Sequence, residues 1–583
     1  MGNTMQRRQF LNSLAKKNST PITQTAERSF SSTSLPPAPL KTTGTQSGIN
    51  VYAGAWTERE MIHLLRRTMF GATKACVDQI SGKTMSDAVD FLIDNPVQPS
   101  TTPVNNYTAG TDTGGVAFGS SWVDAGLPDP TDATIKNTLV GNRLTNSFKP
   151  WWMGQMITQK THILEKMTLF WANHFGTDNA NNNRPKAIFQ HYRILRNYGL
   201  TNFRDLVKQV TIDPHMLYFL SGNGSYKTAP NENYGRELQE LFTVGKGPDS
   251  HYTEGDVQAA AKVLSGWQVT QSLTDGTYSS MFTASRHDAT SKTFSDFYNY
   301  NGTKNNVIAP QSGSLEIDAM IDMILKTNEC AKYIVRRLYI WFVYSNITAD
   351  VETNVITPLA NILRSSNYSI PTVLKALFKS EHFFDTLNFG AMIKSPADMY
   401  VSMIREFNVA LAASPVDVKY LHWKSFYDKA RLEGQNIGDP PNVAGWAAYY
   451  ESPGFYELWM SSSSIQTKAT NLKAYSNSGV TVSGIPIVID SVAFLKQFST
   501  ADIINPDTVV NNFIQYLLPV DDLTPEQKAA MKAVLVPPNE QDTYWGNEWN
   551  KYLAAPSTYY KEVKGILDQL MRPIVAMAEY YLY

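Results

Sequence analysis

Two cysteines in 583 residues, Cys76 and Cys330, leave no disulfide framework and no cysteine-based zinc site. Long apolar runs are missing as well. The densest, Leu338 to Tyr344, spans seven residues, whereas a membrane-crossing helix needs about 20. No transmembrane segment is expected. Net charge is nearly absent: 51 Lys and Arg face 52 Asp and Glu, giving -1. No global basic field exists to hold nucleic acid, so no nucleic-acid partner is expected. The chain also lacks Gly-x-Ser-x-Gly, a phosphate loop, Gly-x-Gly-x-x-Gly and His-Glu-x-x-His. That excludes the common serine-hydrolase, nucleotide and zinc-protease signatures.

What is present is ordinary globular composition, 43% hydrophobic and 18% charged, with aromatics at 12%. Aromatic residues fill cores, and they also line sugar-binding and protein-binding surfaces. Residues 1–50 are rich in Ser, Thr and Pro and read as a flexible arm. Within it, Arg7-Arg8-Gln9-Phe10-Leu11 looks like the core of a twin-arginine signal. The polar, basic Asn12 to Asn18 stands where an apolar stretch is needed. The reading is therefore a cytoplasmic chain; the alternative is export to the periplasm or cell surface.

Residues 51–475 read as the main helical domain, with inserts near 97–131 and 268–313. Residues 476–583 read as a helical C-terminal region. Thr57 with Glu60, and Thr253 with Asp256, have capping-box spacing. Helical periodicity covers Trp151 to Phe175, Lys186 to Tyr198, Asp256 to Trp267 and Asp522 to Val534. Short alternating runs at Tyr278–Thr283 and Lys292–Tyr300 predict a small β-hairpin element. The fold class is mostly α: a multi-helix body with a small β-hairpin insert and a helical C-terminal region.

The most polar helix start is Pro230 to Phe242. Asn231 is placed to cap it. At helical spacing Asn233, Glu237 and Glu240 share one face, and Leu238, Leu241 and Phe242 face a core. One reading is a solvated face, with Arg236 bridging Glu232 and Glu240. The other is a ligand-holding surface. His174 ends an apolar helix, where it serves as dipole partner, ligand or acid/base group. His287 and Asp288 are adjacent in a β-like insert, and an aspartate orients a neighbouring histidine in many sites. Adjacent strand residues point to opposite faces, which weakens that pairing. His174, Glu237 and His287 form the candidate metal set, with a divalent zinc, manganese or iron as the candidate cofactor. Trp267 and Trp446 end two Gly-Trp steps, as packing anchors or as ligand contacts.

Taken in order, several motifs resemble one family. They are Arg66-Arg67-Thr68-Met69-Phe70-Gly71, Trp171-Ala172-Asn173-His174-Phe175, Asn231 to Leu238 and Tyr252 to Val257. Leu264-Ser265-Gly266-Trp267, His287-Asp288 with Lys292, Ile393-Lys394-Ser395-Pro396 and the loop from Pro440-Pro441 to Gly445-Trp446 follow. The set is similar to the bacterial family catalogued as domain of unknown function 1800, in a Bacteroidota-like spelling. Where that family usually carries Ala, this chain has Gly235, a small change. The resemblance implies a mostly helical fold, a bacterial source and, for many relatives, export. It also implies a sulfatase-like protein encoded nearby as a candidate partner.

Two functions follow. In the first, Glu237 or Glu232 acts as base or ligand in a carboxylate- or metal-assisted hydrolysis of a polar or glycan-like substrate. His287 and Asp288 assist, Arg236 holds an anionic group, and Asn231, Asn233, Glu240, Trp267 and Trp446 line the pocket. In the second, the chain is a non-catalytic binding or assembly protein, acting with the sulfatase-like partner or as a homo-oligomer.

Overall fold

Capping sets where the first helix begins. The Thr57 N–H donates to Glu60 Oε2 at 3.0 Å, closing the expected box at the head of helix Glu58–Thr68. In the computed structural model the described residues are 45–583, except 46, 95, 100, 108–115, 126–137, 179–183, 248, 273, 301–303 and 447–456. The arginine pair of the arm and much of the 97–131 insert lie outside them.

Helix Glu58–Thr68 buries Leu64 and Leu65, and it buries Arg66 and Arg67 with them. A buried guanidinium needs acceptors. Arg66 donates through Nη1 to Leu518 O and through Nη2 to Tyr516 O, both at 2.6 Å. Arg67 Nη1 donates to Val343 O at 3.1 Å. The first helix is thereby tied to the C-terminal region. The last residues close the same body: Lys394 N–H donates to Tyr581 O at 2.8 Å, and Tyr583 N–H to Met392 O at 2.9 Å. One hydrophobic cluster runs from Met61 to Tyr583.

The architecture is mostly helical, with three two-stranded antiparallel sheets among the described residues. Two of them occupy the 268–313 insert. Strand β1 (Trp267–Gln271) pairs with β2 (Tyr278–Phe282), Trp267 opposite Phe282. Strand β3 (Lys292–Thr293) pairs with β4 (Val307–Ile308). β5 (Val480–Val482) and β6 (Ile485–Ile487) form the third. The helix expected to end at Trp267 stops at Val263. Gly266, at φ +88°, turns the chain so that Trp267 opens a strand. The Trp151–Phe175 pattern splits into the end of helix Thr138–Ile157 and helix Leu164–His174. No helix of the described residues is long and apolar enough to cross a membrane.

Candidate functional site

Asn231 caps the polar helix as expected: its Oδ1 accepts from Asn233 N–H at 2.9 Å, and its Nδ2 donates to Leu220 O at 2.8 Å. Helix Glu232–Glu237 packs tightly on helix Glu254–Val263. A Cβ on Gly235 would stand 2.8 Å from Val257 O and 3.0 Å from Ala261 N. An alanine there requires the two helices to separate, so Gly235 is not a neutral spelling change in this chain. Beyond Glu237 the helix widens into a π-helical segment, Leu238–Thr243. Such widened turns recur at functional sites. Buried Gln239 supports this one: its Nε2 donates to Gly235 O at 2.8 Å, and the Tyr298 hydroxyl donates to its Oε1.

The charged side chains divide. Glu232 and Asn233 are exposed. Arg236 does not bridge Glu232 and Glu240. It forks onto Glu254, with Nη1 2.9 Å from Oε2, and the two side chains are 37% and 58% exposed. Exposed pairs contribute little, so Arg236→Gln is expected to cost less than about 1 kcal/mol in chemical denaturation. A loss of several kcal/mol would contradict the solvated geometry. Glu240 is buried, accepts from the Tyr252 hydroxyl at 3.2 Å and pairs with Lys246. Glu237 is half-buried, and no hydrogen bond or ion pair reaches its carboxyl group from the described residues. Burial, and then the charge of Glu240, push its carboxyl above the usual carboxylate range; Lys246 and Arg236 oppose them.

His287 belongs to another buried group. Its Nδ1–H donates to Ser265 O at 2.9 Å, and its Nε2 stands 3.1 Å from Glu316 Oε2. Lys292 Nζ reaches the same oxygen at 2.6 Å. Asp288 does not orient His287. Its side chain turns to the Thr290 N–H at 2.8 Å. Burial raises its carboxyl group, but the Thr290 hydrogen bonds and Lys292 hold it below the usual range. The triad partner Glu316 was missed because it sits in an unremarkable amphipathic helix, Gly313–Leu325.

His174 is a core residue. Its Nε2–H donates to Phe242 O at 3.0 Å, and rings of Trp171, Phe175 and Tyr333 surround it. Burial, then Arg337, lower its pKa to about 3, so it is neutral at pH 7. His174 and His287 therefore have separate sets of partners, and neither set includes Glu237. Among the described residues no group of three or more His, Cys, Asp or Glu is placed to hold a metal ion.

Trp267 and Trp446 are both buried, at 7% and 6% exposure. Trp446 N–H donates to Asn173 Oδ1 at 2.8 Å, which joins the Trp171–Phe175 motif to the Gly/Pro loop. Sequence reasoning also missed His191, on helix Pro185–Tyr198, whose Nδ1 is 3.0 Å from Asp213 Oδ2. That carboxylate caps Met216 N–H as well, at 3.0 Å. The only signal was an Asp-Pro helix start, which marks a cap and not a partner.

Residues 63–580 match the model of the family described as "Protein of unknown function (DUF1800)", and the chain belongs to that family. No curated protein and no solved structure matches the chain.

Proposed function

We propose that this member of the DUF1800 family is a hydrolase that uses a pair of carboxyl groups on a polar, glycan-like substrate. The observation that carries this reading is the contrast between Glu237 and Glu240. Glu237 is half-buried, has no hydrogen bond or ion pair among the described residues, and its pKa is raised by burial and then by the charge of Glu240. Glu240 is paired with Lys246 and hydrogen-bonded by Tyr252. Neighbouring carboxyls in unlike surroundings divide into an acid and a base. Glu237 would give its proton to the leaving oxygen, and Glu240 would take one from the attacking water. Exposed Glu232 and Asn233 lie beside them, with Arg236, as hydrogen-bonding groups for the substrate.

The test is Glu237→Gln on a panel of 4-nitrophenyl glycosides and esters. Turnover is expected to fall at least about 100-fold, the scale of one acid–base group. Stability is expected to move the other way. A carboxyl raised in the folded state is tolerated below the unfolded pKa of about 4.3 and weakens the fold as pH rises past it. Glu237→Gln should therefore match the parent's thermal midpoint at about pH 4 and equal or exceed it at pH 7. Full turnover in Glu237→Gln sinks the reading. Inactivity of the parent across the panel, with a stable dimer or a complex with a sulfatase-like protein in size exclusion, replaces it with the assembly reading.

A further inference from the structure

Lys246 stands beside the Glu237–Glu240 pair with no part in the proton transfers themselves. Its ammonium pairs with Glu240 Oε1, and the Tyr252 hydroxyl donates to Oε2 at 3.2 Å. A tight turn after the π-helical segment brings it there. The Val244 and Gly245 N–H groups both donate to Gln239 O, at 2.8 and 3.0 Å. The Ser250 hydroxyl donates to Gly245 O at 2.7 Å. Gly245 stands at φ +79°, and a Cβ there would overlap the Tyr333 ring, so the turn needs glycine. Tyr333 is itself fixed, since its hydroxyl donates to Leu241 O at 2.7 Å.

The other charges on the surrounding helices are engaged elsewhere. Arg236 forks onto Glu254, and Asp256 accepts the Thr253 and Ser295 N–H groups. On helix Asn328–Phe342, Arg336 pairs with Glu329 and Glu352, and Lys332 lies 3.8 Å from Asp249. On helix Gly313–Leu325, Glu316 pairs with Lys292, and Asp318 and Asp322 pair with Arg204. Among the described residues Lys246 is the cation that compensates Glu240. The Lys246 side chain is 53% exposed, so this contact adds little to folding. Its effect is chemical. A base must be ionised to take a proton, and an ammonium in contact favours that form. Lys246 also acts on Glu237 through space, lowering its pKa against burial and the charge of Glu240.

We infer that Lys246, held by the Gly245 turn, is the positioning residue that fixes Glu240 as the base of the pair. The inference rests on the hydrolase reading, and its test has one readout that needs no activity.

For that readout the full chain is labelled with 13C at the glutamate carboxyl carbons and titrated by NMR. The Glu240 signal is the one lost in Glu240→Gln. In Lys246→Met it should titrate about one pH unit higher than in the parent, the low end for an opposite charge in contact because the lysine is exposed. Lys246→Arg should restore it. Gly245→Ala, which changes no charge, should move it the same way; if that variant does not fold, the exposed Lys246→Met decides. The second readout is the pH–rate profile on a substrate that the parent turns over. The acid limb should move up by the same step in Lys246→Met, and the alkaline limb, set by Glu237, by less. An unmoved Glu240 signal overturns the inference, as does an unmoved acid limb in an active Lys246→Met enzyme. A moved signal in a protein that hydrolyses nothing supports the hold of Lys246 on Glu240 and ends the hydrolase reading alone.

Discussion

Glu316→Gln is expected to destabilise the protein by about 3–5 kcal/mol, because it strands a buried cation. Glu316 and Lys292 side chains are both 0% exposed, and the ammonium lies 2.6 Å from Glu316 Oε2. The other oxygen, Oε1, accepts the Gln311 N–H at 2.9 Å. A glutamine keeps one acceptor and turns an NH2 group toward either Gln311 N–H or the Lys292 and His287 donors. Either way the Lys292 charge loses its counter-charge in a place water does not reach. Lys292→Met should cost as much, since it leaves the carboxylate alone with a histidine. The double change Glu316→Leu with Lys292→Met should recover part of the loss, because removing both charges is often near neutral. Chemical denaturation of the parent, both singles and the double tests this as a cycle. Additive losses, or single losses under about 1 kcal/mol, would show that the pair is not a closed charge set.

This triad also shows where sequence reading ran out. Capping boxes at Thr57–Glu60 and Thr253–Asp256 were legible because both partners lie within one turn. The helical body was legible for the same reason, through the 3.6-residue apolar period. One reading of Arg236 pairs it with carboxylates four residues away on its own helix. The chain gives it Glu254 instead, because Gly235 lets the second helix approach to backbone contact. Glu240 lies in the π-helical segment, and its partners are Tyr252 and Lys246. Neither a close helix crossing nor an inserted residue leaves a periodic trace. His287 was singled out, yet its neighbour in sequence is not its partner in space. Its partner Glu316 lies beyond β3 and β4, and only tertiary folding supplies that pairing.

Gly445→Ala should cost about 2–5 kcal/mol, part from the backbone and the rest from one contact. Gly445 has φ +96°, a region in which a non-glycine residue loses roughly 1–2 kcal/mol. Its added Cβ would also overlap the Asn173 carboxamide oxygen and sit 2.5 Å from the Asn173 carbonyl oxygen. Asn173 is buried and its carboxamide holds the Trp446 N–H, so it has no free direction in which to retreat. Moving it leaves a buried N–H without its acceptor, a loss of about 1–3 kcal/mol. Gly434, just after helix Val416–Leu432, supplies the control. Gly434 has nearly the same φ, +97°, but a Cβ there meets nothing within 4 Å. Gly434→Ala should therefore show the backbone strain alone, about 1–2 kcal/mol. The difference between the two variants isolates the contact that joins the Trp171–Phe175 motif to the Gly/Pro loop. Trp446 reports it independently: its buried indole should shift to longer-wavelength emission in Gly445→Ala and stay unchanged in Gly434→Ala. Equal losses in the two variants, with no emission shift in either, would mean that Asn173 does not lock the loop.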